Sequence, residues 1–170
     1  MKVIDNFLPC SSFEELQSMM MCAQFDWHFT NGIAYDDQPH FYQFFHMFYH
    51  YDWMQAGSSY THLLEPVLDK LEVRKLIRIK GNLTTRHLFN RETGYHVDGF
   101  IDAKGHSPFL EPHNTAIFYV NTNNGSTKFK NGATIKSVAN RMVIFDHKTE
   151  HCGVTCTDEN KRVVMNFNYS

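Results

Sequence analysis

The segment Lys161–Tyr169 alternates without a break. Val163, Met165, Phe167 and Tyr169 form one apolar face, and Arg162, Val164, Asn166 and Asn168 form a largely polar one. A period of two is that of an extended strand, whose successive side chains point to opposite faces. One face therefore packs on hydrophobic structure, and the other meets either solvent or a polar interior cleft. Upstream, Thr115–Asn121, Ser126–Lys130, Ala133–Val138 and Arg141–Phe145 read as further short strands separated by Asn-Gly and similar turn signals. Leu76–Lys80, before Gly81-Asn82, is another. Short strands at this spacing predict a sandwich or barrel.

The N-terminal part reads as helical. Ser11 and Ser12 precede Phe13-Glu14-Glu15-Leu16 in a capping-box pattern, and Phe13, Leu16 and Met20 fall at i, i+3 and i+7 on one stripe. The stretch from Trp27 to Asp37 is turn-rich. Pro39 is expected to start a second helix over Phe41–His50, aromatic on nearly every face, which would pack in the core or wall a substrate cleft. His46 and His50 stand at i and i+4 there, but no Glu follows His46 to make a hydrolase motif. Leu63, Leu64, Val67, Leu68 and Leu71 mark a third helix, which Pro66 starts or kinks. Gly99 to Asn114, with Gly99, Gly105, Pro108 and Pro112, reads as a long surface loop of the kind that forms lids.

With 170 residues, 42% of them hydrophobic, the chain is expected to form one globular domain: a helical support over 1–73 and a strand-built core over 74–170. The net charge of -2 gives no general attraction to nucleic acid or anionic membranes, and neither partner is expected. The N-terminus lacks the apolar stretch of a signal peptide. Cys10, Cys22, Cys152 and Cys156 show no Cys-x-x-Cys spacing. Reduced thiols in a cytoplasm are the expectation.

The chemistry-bearing stretch is Gly94-Tyr95-His96-Val97-Asp98-Gly99. Residues two apart on extended backbone point the same way, so His96 and Asp98 can grip one ion from one side. His151 would complete a set of two imidazoles and one carboxylate, which suits an open-sided iron(II). Arg162, opening the last strand, suits a dicarboxylate beside that metal.

On these residues the chain resembles the 2-oxoglutarate- and iron(II)-dependent oxygenases, most of all their small prolyl 4-hydroxylase-like bacterial and phage members. The matching text is Tyr-His-Val-Asp (95–98), Thr-Ala-Ile-Phe-Tyr-Val-Asn (115–121), Asn-Gly-Ser-Thr-Lys-Phe (124–129), Asn-Arg-Met-Val-Ile-Phe-Asp (140–146), His151 and Arg-Val-Val-Met-Asn-Phe (162–167). Ser126 stands where the family usually has a second Gly. The resemblance implies a mainly β fold, a double-stranded β-helix or jelly roll with N-terminal flanking helices. It also implies a dioxygenase that uses Fe(II), 2-oxoglutarate and O2, with ascorbate as a reductant, to hydroxylate a prolyl residue of a peptide or a small molecule. Residue by residue, it places the iron ligands on His96, Asp98 and His151. It places the distal carboxylate of 2-oxoglutarate on Arg162, shared by Tyr119, with Asn82 helping to hold the cosubstrate.

Several rivals compete. His147 is the alternative to His151, and Lys161 to Arg162. Cys152 and Cys156 beside His151 could suggest zinc, but a closed zinc site wants a further paired ligand. The oxygenases that act on nucleobases carry a second Arg where this chain has Asn168. A noncatalytic, cupin-like metal-binding jelly roll is the alternative of another class, and it has no need of Arg162 with Tyr119. The oligomeric state is open.

Overall fold

The computed structural model describes residues 1–32, 42–52, 57–99 and 111–170. In chain order the elements are β1 (Lys2–Ile4), α1 (Cys10–Met21), β2 (His28–Asn31), β3 (Tyr42–His50), a 3-10 turn (Thr61–Leu64), α2 (Glu65–Lys70) and β4 (Leu76–Thr85). There follow β5 (Asn114–Tyr119), β6 (Ser126–Phe129), β7 (Thr134–Lys136), β8 (Arg141–Asp146), β9 (His151–Val154) and β10 (Lys161–Tyr169). Two antiparallel sheets result, a large one in the order β1-β8-β5-β10-β4-β3-β2 and a small one in the order β7-β6-β9. This is the jelly-roll arrangement expected from the sequence.

The alternation of β10 decides how the layers stack. β10 lies between β4 and β5 and pairs with both. Its apolar face (Val163, Met165, Phe167, Tyr169) joins Leu16 and Met20 of α1, Leu64 of the 3-10 turn and Val67 of α2 in the main core. Val163, Met165 and Phe167 are fully buried, and each contributes roughly 1.5–3 kcal/mol of apolar transfer. The other face looks toward the small sheet. There Ile117, Tyr119, Val143, Phe145 and Val164 pack on Phe129 in a second, smaller core. The polar face of β10 therefore meets a cleft between the sheets, not solvent.

The structure corrects four expectations. Phe41–His50 is not a helix: Tyr42–His50 is the strand β3, paired with β2 and β4, and Pro39 and Phe41 lie outside the described residues. Aromatic residues on every face fit a strand buried on one side and edging a cleft on the other, and such residues favour extended backbone. A register shift between Met47 and Tyr49 breaks the alternation that would have marked the strand. Part of the turn-rich stretch from Trp27 forms β2. The capping box does not form: α1 starts one turn earlier on Pro9, with no side-chain cap, although its Leu16–Met20 stripe is buried as expected. Finally, β4 runs straight through Gly81 and Asn82. Gly81 sits mid-strand because a Cβ there would meet Met20 Cε at 3.1 Å and Phe48 Cε2 at 3.3 Å. Pro66 does begin a regular helix, in the first turn of α2. Of the expected loop, residues 100–110 lie outside the described residues.

Candidate metal centre and its cleft

His96 and His151 are brought together by backbone pairing. The N–H of His96 donates to the carbonyl of His151 and the N–H of His151 to that of His96, both at 2.9 Å. Residues that exchange both hydrogen bonds face each other directly, so their side chains leave the pair on the same side. The imidazole centroids are 4.8 Å apart. Two residues on, Asp98 turns to the same side, with Oδ1 3.8 Å from His96 Nε2. The three donor atoms lie within 4.8 Å of one another, and no other group of His, Cys, Asp and Glu among the described residues gathers in this way. Donors that each lie about 2.1 Å from one ion are separated by up to about 4.2 Å, so small side-chain rotations close the set.

Each ligand is aimed by a second contact. His96 Nδ1 lies 3.1 Å from the carbonyl of Gly94 and His151 Nδ1 3.0 Å from that of Thr149. Donation to those carbonyls places the proton on Nδ1 and leaves both Nε2 lone pairs facing the centre. The Phe145 ring stands edge-on to His151 at 4.9 Å. Asp98 is gripped on one oxygen only: Arg78 Nη2 and Asn168 Nδ2 both reach Oδ2 at 3.1 Å, leaving Oδ1 toward His96. Arg78 Nε in turn donates to Asn168 Oδ1 at 3.0 Å. Burial alone would raise the Asp98 carboxyl. Arg78, the two imidazoles and the Asn168 amide together hold it well below the usual carboxylate range. Burial, with the neighbouring His151, keeps the His96 imidazole below its ordinary pKa and so neutral. Two imidazoles and one ionised carboxylate oxygen form a donor set that suits Fe(II) and leaves coordination positions open.

The centre opens into a cleft of about 230 Å³ whose lining includes Arg78, Lys80, Asn82, Thr127, Arg162 and Asn166. At its far end lies Arg162. The guanidinium donates from Nε to Ser137 Oγ at 2.9 Å and from Nη2 to the Ser126 carbonyl at 3.1 Å and Thr127 Oγ1 at 3.3 Å. It is 5% exposed, and among the described residues no carboxylate lies within ion-pairing distance of it. Burial lowers its pKa, a sign that the charge is held at some cost. A buried cation lacking a counter-charge is a ready-made anion site. Gly125 makes room for the side chain, since a Cβ there would lie 2.8 Å from Arg162 Cδ.

The sequence-derived residues sort clearly. His96, Asp98, His151, Arg162 and Asn82 share the cleft. Tyr119 does not line it: the residue is fully buried behind, its hydroxyl donating to Thr127 Oγ1 at 2.8 Å and its ring 5.8 Å from Arg162 Cζ. Lys161 points away and donates to the Met21 carbonyl at 2.9 Å. His147 packs against His113 with ring centroids 4.5 Å apart and planes tilted by 32°, outside the group. His46 is taken up by the Asp26 carbonyl and Ser58 Oγ, both at 2.7 Å. Cys152 and Cys156 are free thiols that join no ligand group, as are Cys10 and Cys22. Sequence reasoning missed Arg78, Lys80 and the Asp98 contact of Asn168. The signal was present in β4, where Arg78, Lys80, Asn82 and Thr84 alternate with Ile77, Ile79, Gly81 and Leu83 as cleanly as the two faces of β10.

No family model matches the sequence, and no curated protein matches it either. Solved structures do match the fold. A 2OG-Fe(II) oxygenase family oxidoreductase from Burkholderia pseudomallei aligns over 99% of this chain and 84% of its own, with TM-score 0.64 and 10% identity. A Pseudomonas putida prolyl-4-hydroxylase aligns over 99% and 91%, with TM-score 0.55 and 14% identity. HygX from Streptomyces hygroscopicus, solved with nickel, 2-oxoglutarate and hygromycin B, aligns over 99% and 81%, with TM-score 0.61 and 12% identity. The chain thus has the fold of the 2-oxoglutarate/Fe(II) oxygenases along nearly its whole length.

Proposed function

We propose that this chain is an Fe(II)- and 2-oxoglutarate-dependent dioxygenase that hydroxylates a peptide or small-molecule substrate. Four free thiols suit a reducing compartment such as the cytoplasm. The observation that carries the reading is Arg162, a buried guanidinium with no carboxylate partner among the described residues, in the same cleft as two imidazoles and a carboxylate. A cupin-like metal binder without a cosubstrate has no use for that charge.

In this reading His96, Asp98 and His151 hold the iron and Arg162 receives the distal carboxylate of 2-oxoglutarate. Tyr119 supports the guanidinium from behind through Thr127, and Asn82, on the cleft wall, would help to hold the cosubstrate. The bound metal supplies the redox chemistry: one atom of O2 enters a substrate C–H bond, the other enters succinate, and CO2 leaves. The chain's own part is positional. Arg78 and Asn168 occupy Oδ2, so Asp98 offers a single oxygen and the remaining positions stay open for cosubstrate and O2. The carbonyls of Gly94 and Thr149 fix the imidazole tautomers. The test is O2-dependent formation of succinate from 2-oxoglutarate with Fe(II) and ascorbate, together with calorimetric binding of 2-oxoglutarate to the Mn(II)-loaded protein. Binding and succinate release are expected; absence of both would overturn the assignment.

A further inference from the structure

One cation in the cleft has no part in the scheme above. Lys80 lies on the cleft face of β4 and lines the cavity. Its ammonium stands 5.3 Å from the centroid of the Phe45 ring, and no described carboxylate lies within ion-pairing distance. Arg78, two residues before it, is committed to Asp98. Arg162 is remote along the sheet: it pairs in register with Thr84, whereas Lys80 pairs with Asn166, four residues further along β10. That is about 13 Å of strand. Lys80 thus belongs to the metal end of the cleft and Arg162 to the other. Burial and the nearby Arg78, partly offset by Asp98, lower the Lys80 ammonium to about 8. A long basic side chain held in a desolvated cleft next to a second cation is costly unless an anion joins it.

One polar atom beside Lys80, on its ladder partner Asn166, is also unsatisfied, and a second, on Thr84, lies toward the Arg162 end of the cleft. Asn166 Oδ1 and Thr84 Oγ1 are buried without a hydrogen-bond partner, and both residues line the cleft. Buried polar atoms are nearly always paired, so an orphaned one in a cavity wall points to something that binds there. The Asn166 carbonyl oxygen accepts only, and calls for an N–H or O–H. Complementarity to this wall therefore requires an anionic group and a hydrogen-bond donor on one molecule.

Building on the dioxygenase reading, we propose that Lys80 and Asn166 anchor the substrate to be oxidised, and that this substrate is a small carboxylic acid carrying an N–H or O–H group, an amino or hydroxy acid. The ammonium of Lys80 takes the carboxylate and Asn166 Oδ1 takes the donor, next to the open side of the metal centre. A neutral interior segment of a peptide offers no partner for Lys80.

The experiment supplies the Fe(II)- and 2-oxoglutarate-loaded protein with a panel of L-amino acids and 2-hydroxy acids and, in parallel, their neutral amides. Succinate release above the substrate-free rate is recorded for the unsubstituted protein, Lys80→Gln and Lys80→Arg. Calorimetry with Mn(II) measures 2-oxoglutarate affinity separately. At least one acid is expected to stimulate turnover more than its amide. Lys80→Gln should raise the KM for that acid about tenfold or more, the loss of one charge-assisted contact, with 2-oxoglutarate affinity retained, and Lys80→Arg should keep the preference for the acid. The proposal is overturned if amides serve as well as acids, if no acid stimulates turnover, or if Lys80→Gln weakens 2-oxoglutarate itself. The last result would assign the ammonium to the metal-side carboxylate of the cosubstrate. If the unsubstituted protein binds no 2-oxoglutarate, the dioxygenase reading falls first, and that outcome is separate from the others.

Discussion

Replacing Arg162 with Ala isolates the anion site from the metal centre. The guanidinium makes three hydrogen bonds to Ser137, Ser126 and Thr127, but no described carboxylate balances its charge. Two costs must be separated. Losing a charge-assisted contact to the distal carboxylate of 2-oxoglutarate removes about 1.5–3 kcal/mol of binding. At 1.4 kcal/mol per decade, the dissociation constant rises about 12- to 140-fold. Folding is less affected, because the truncation takes the Nε donor from the buried Ser137 Oγ, a loss of about 1–3 kcal/mol, but also removes a buried cation held at a desolvation cost. Calorimetry of 2-oxoglutarate into the oxygen-free Mn(II) protein measures the first quantity, and urea denaturation of the metal-free protein the second. Arg162→Lys should fall between the two proteins in affinity, since an ammonium keeps the charge but not the planar fork. An unchanged dissociation constant in a folded Arg162→Ala protein would refute the assignment of this residue as the cosubstrate anchor.

Further outcomes follow from the same geometry. His96→Ala, Asp98→Ala and His151→Ala should each lose stoichiometric Fe(II) or Mn(II) after desalting, measured by elemental analysis, whereas His147→Ala should retain it, because His147 packs against His113 outside the ligand group. Arg78→Leu removes a contact to Asp98 Oδ2 and should weaken metal binding about 10- to 100-fold by competition with a chromophoric chelator, the usual effect of losing a residue that orients a ligand. Gly125→Ala places a Cβ 2.7 Å from the Val154 carbonyl oxygen and 2.8 Å from Arg162 Cδ. It should weaken 2-oxoglutarate binding with metal content unchanged, and wild-type affinity in that variant would show that the Arg162 position tolerates displacement.

Much of the site was legible because its chemistry is local in sequence. His96 and Asp98 share a face through strand geometry alone, and the alternation of Lys161–Tyr169 fixed β10 and put Arg162 opposite the core. The same period carried Arg78 and Lys80 on β4, where it went unread because Gly81 looked like a turn. The aromatic run of β3 was misjudged for a different reason: with apolar side chains on both faces, periodicity cannot separate a strand from a buried helix.

The sequence alone determined that His96 and Asp98 share a face and that a cation opens the last strand, since both follow from side-chain type and a two-residue period; the jelly roll and His151 as the third ligand came from the family resemblance. It could not decide that His151, not His147, meets His96, because that choice rests on two backbone hydrogen bonds between segments far apart in the chain. Nor could it show that Arg78 and Asn168 take one oxygen of Asp98, or that Lys80 and Arg162 lack described carboxylate partners. Charge balance and hydrogen-bond satisfaction are properties of what surrounds a side chain in space, and only the packed sheets define those surroundings.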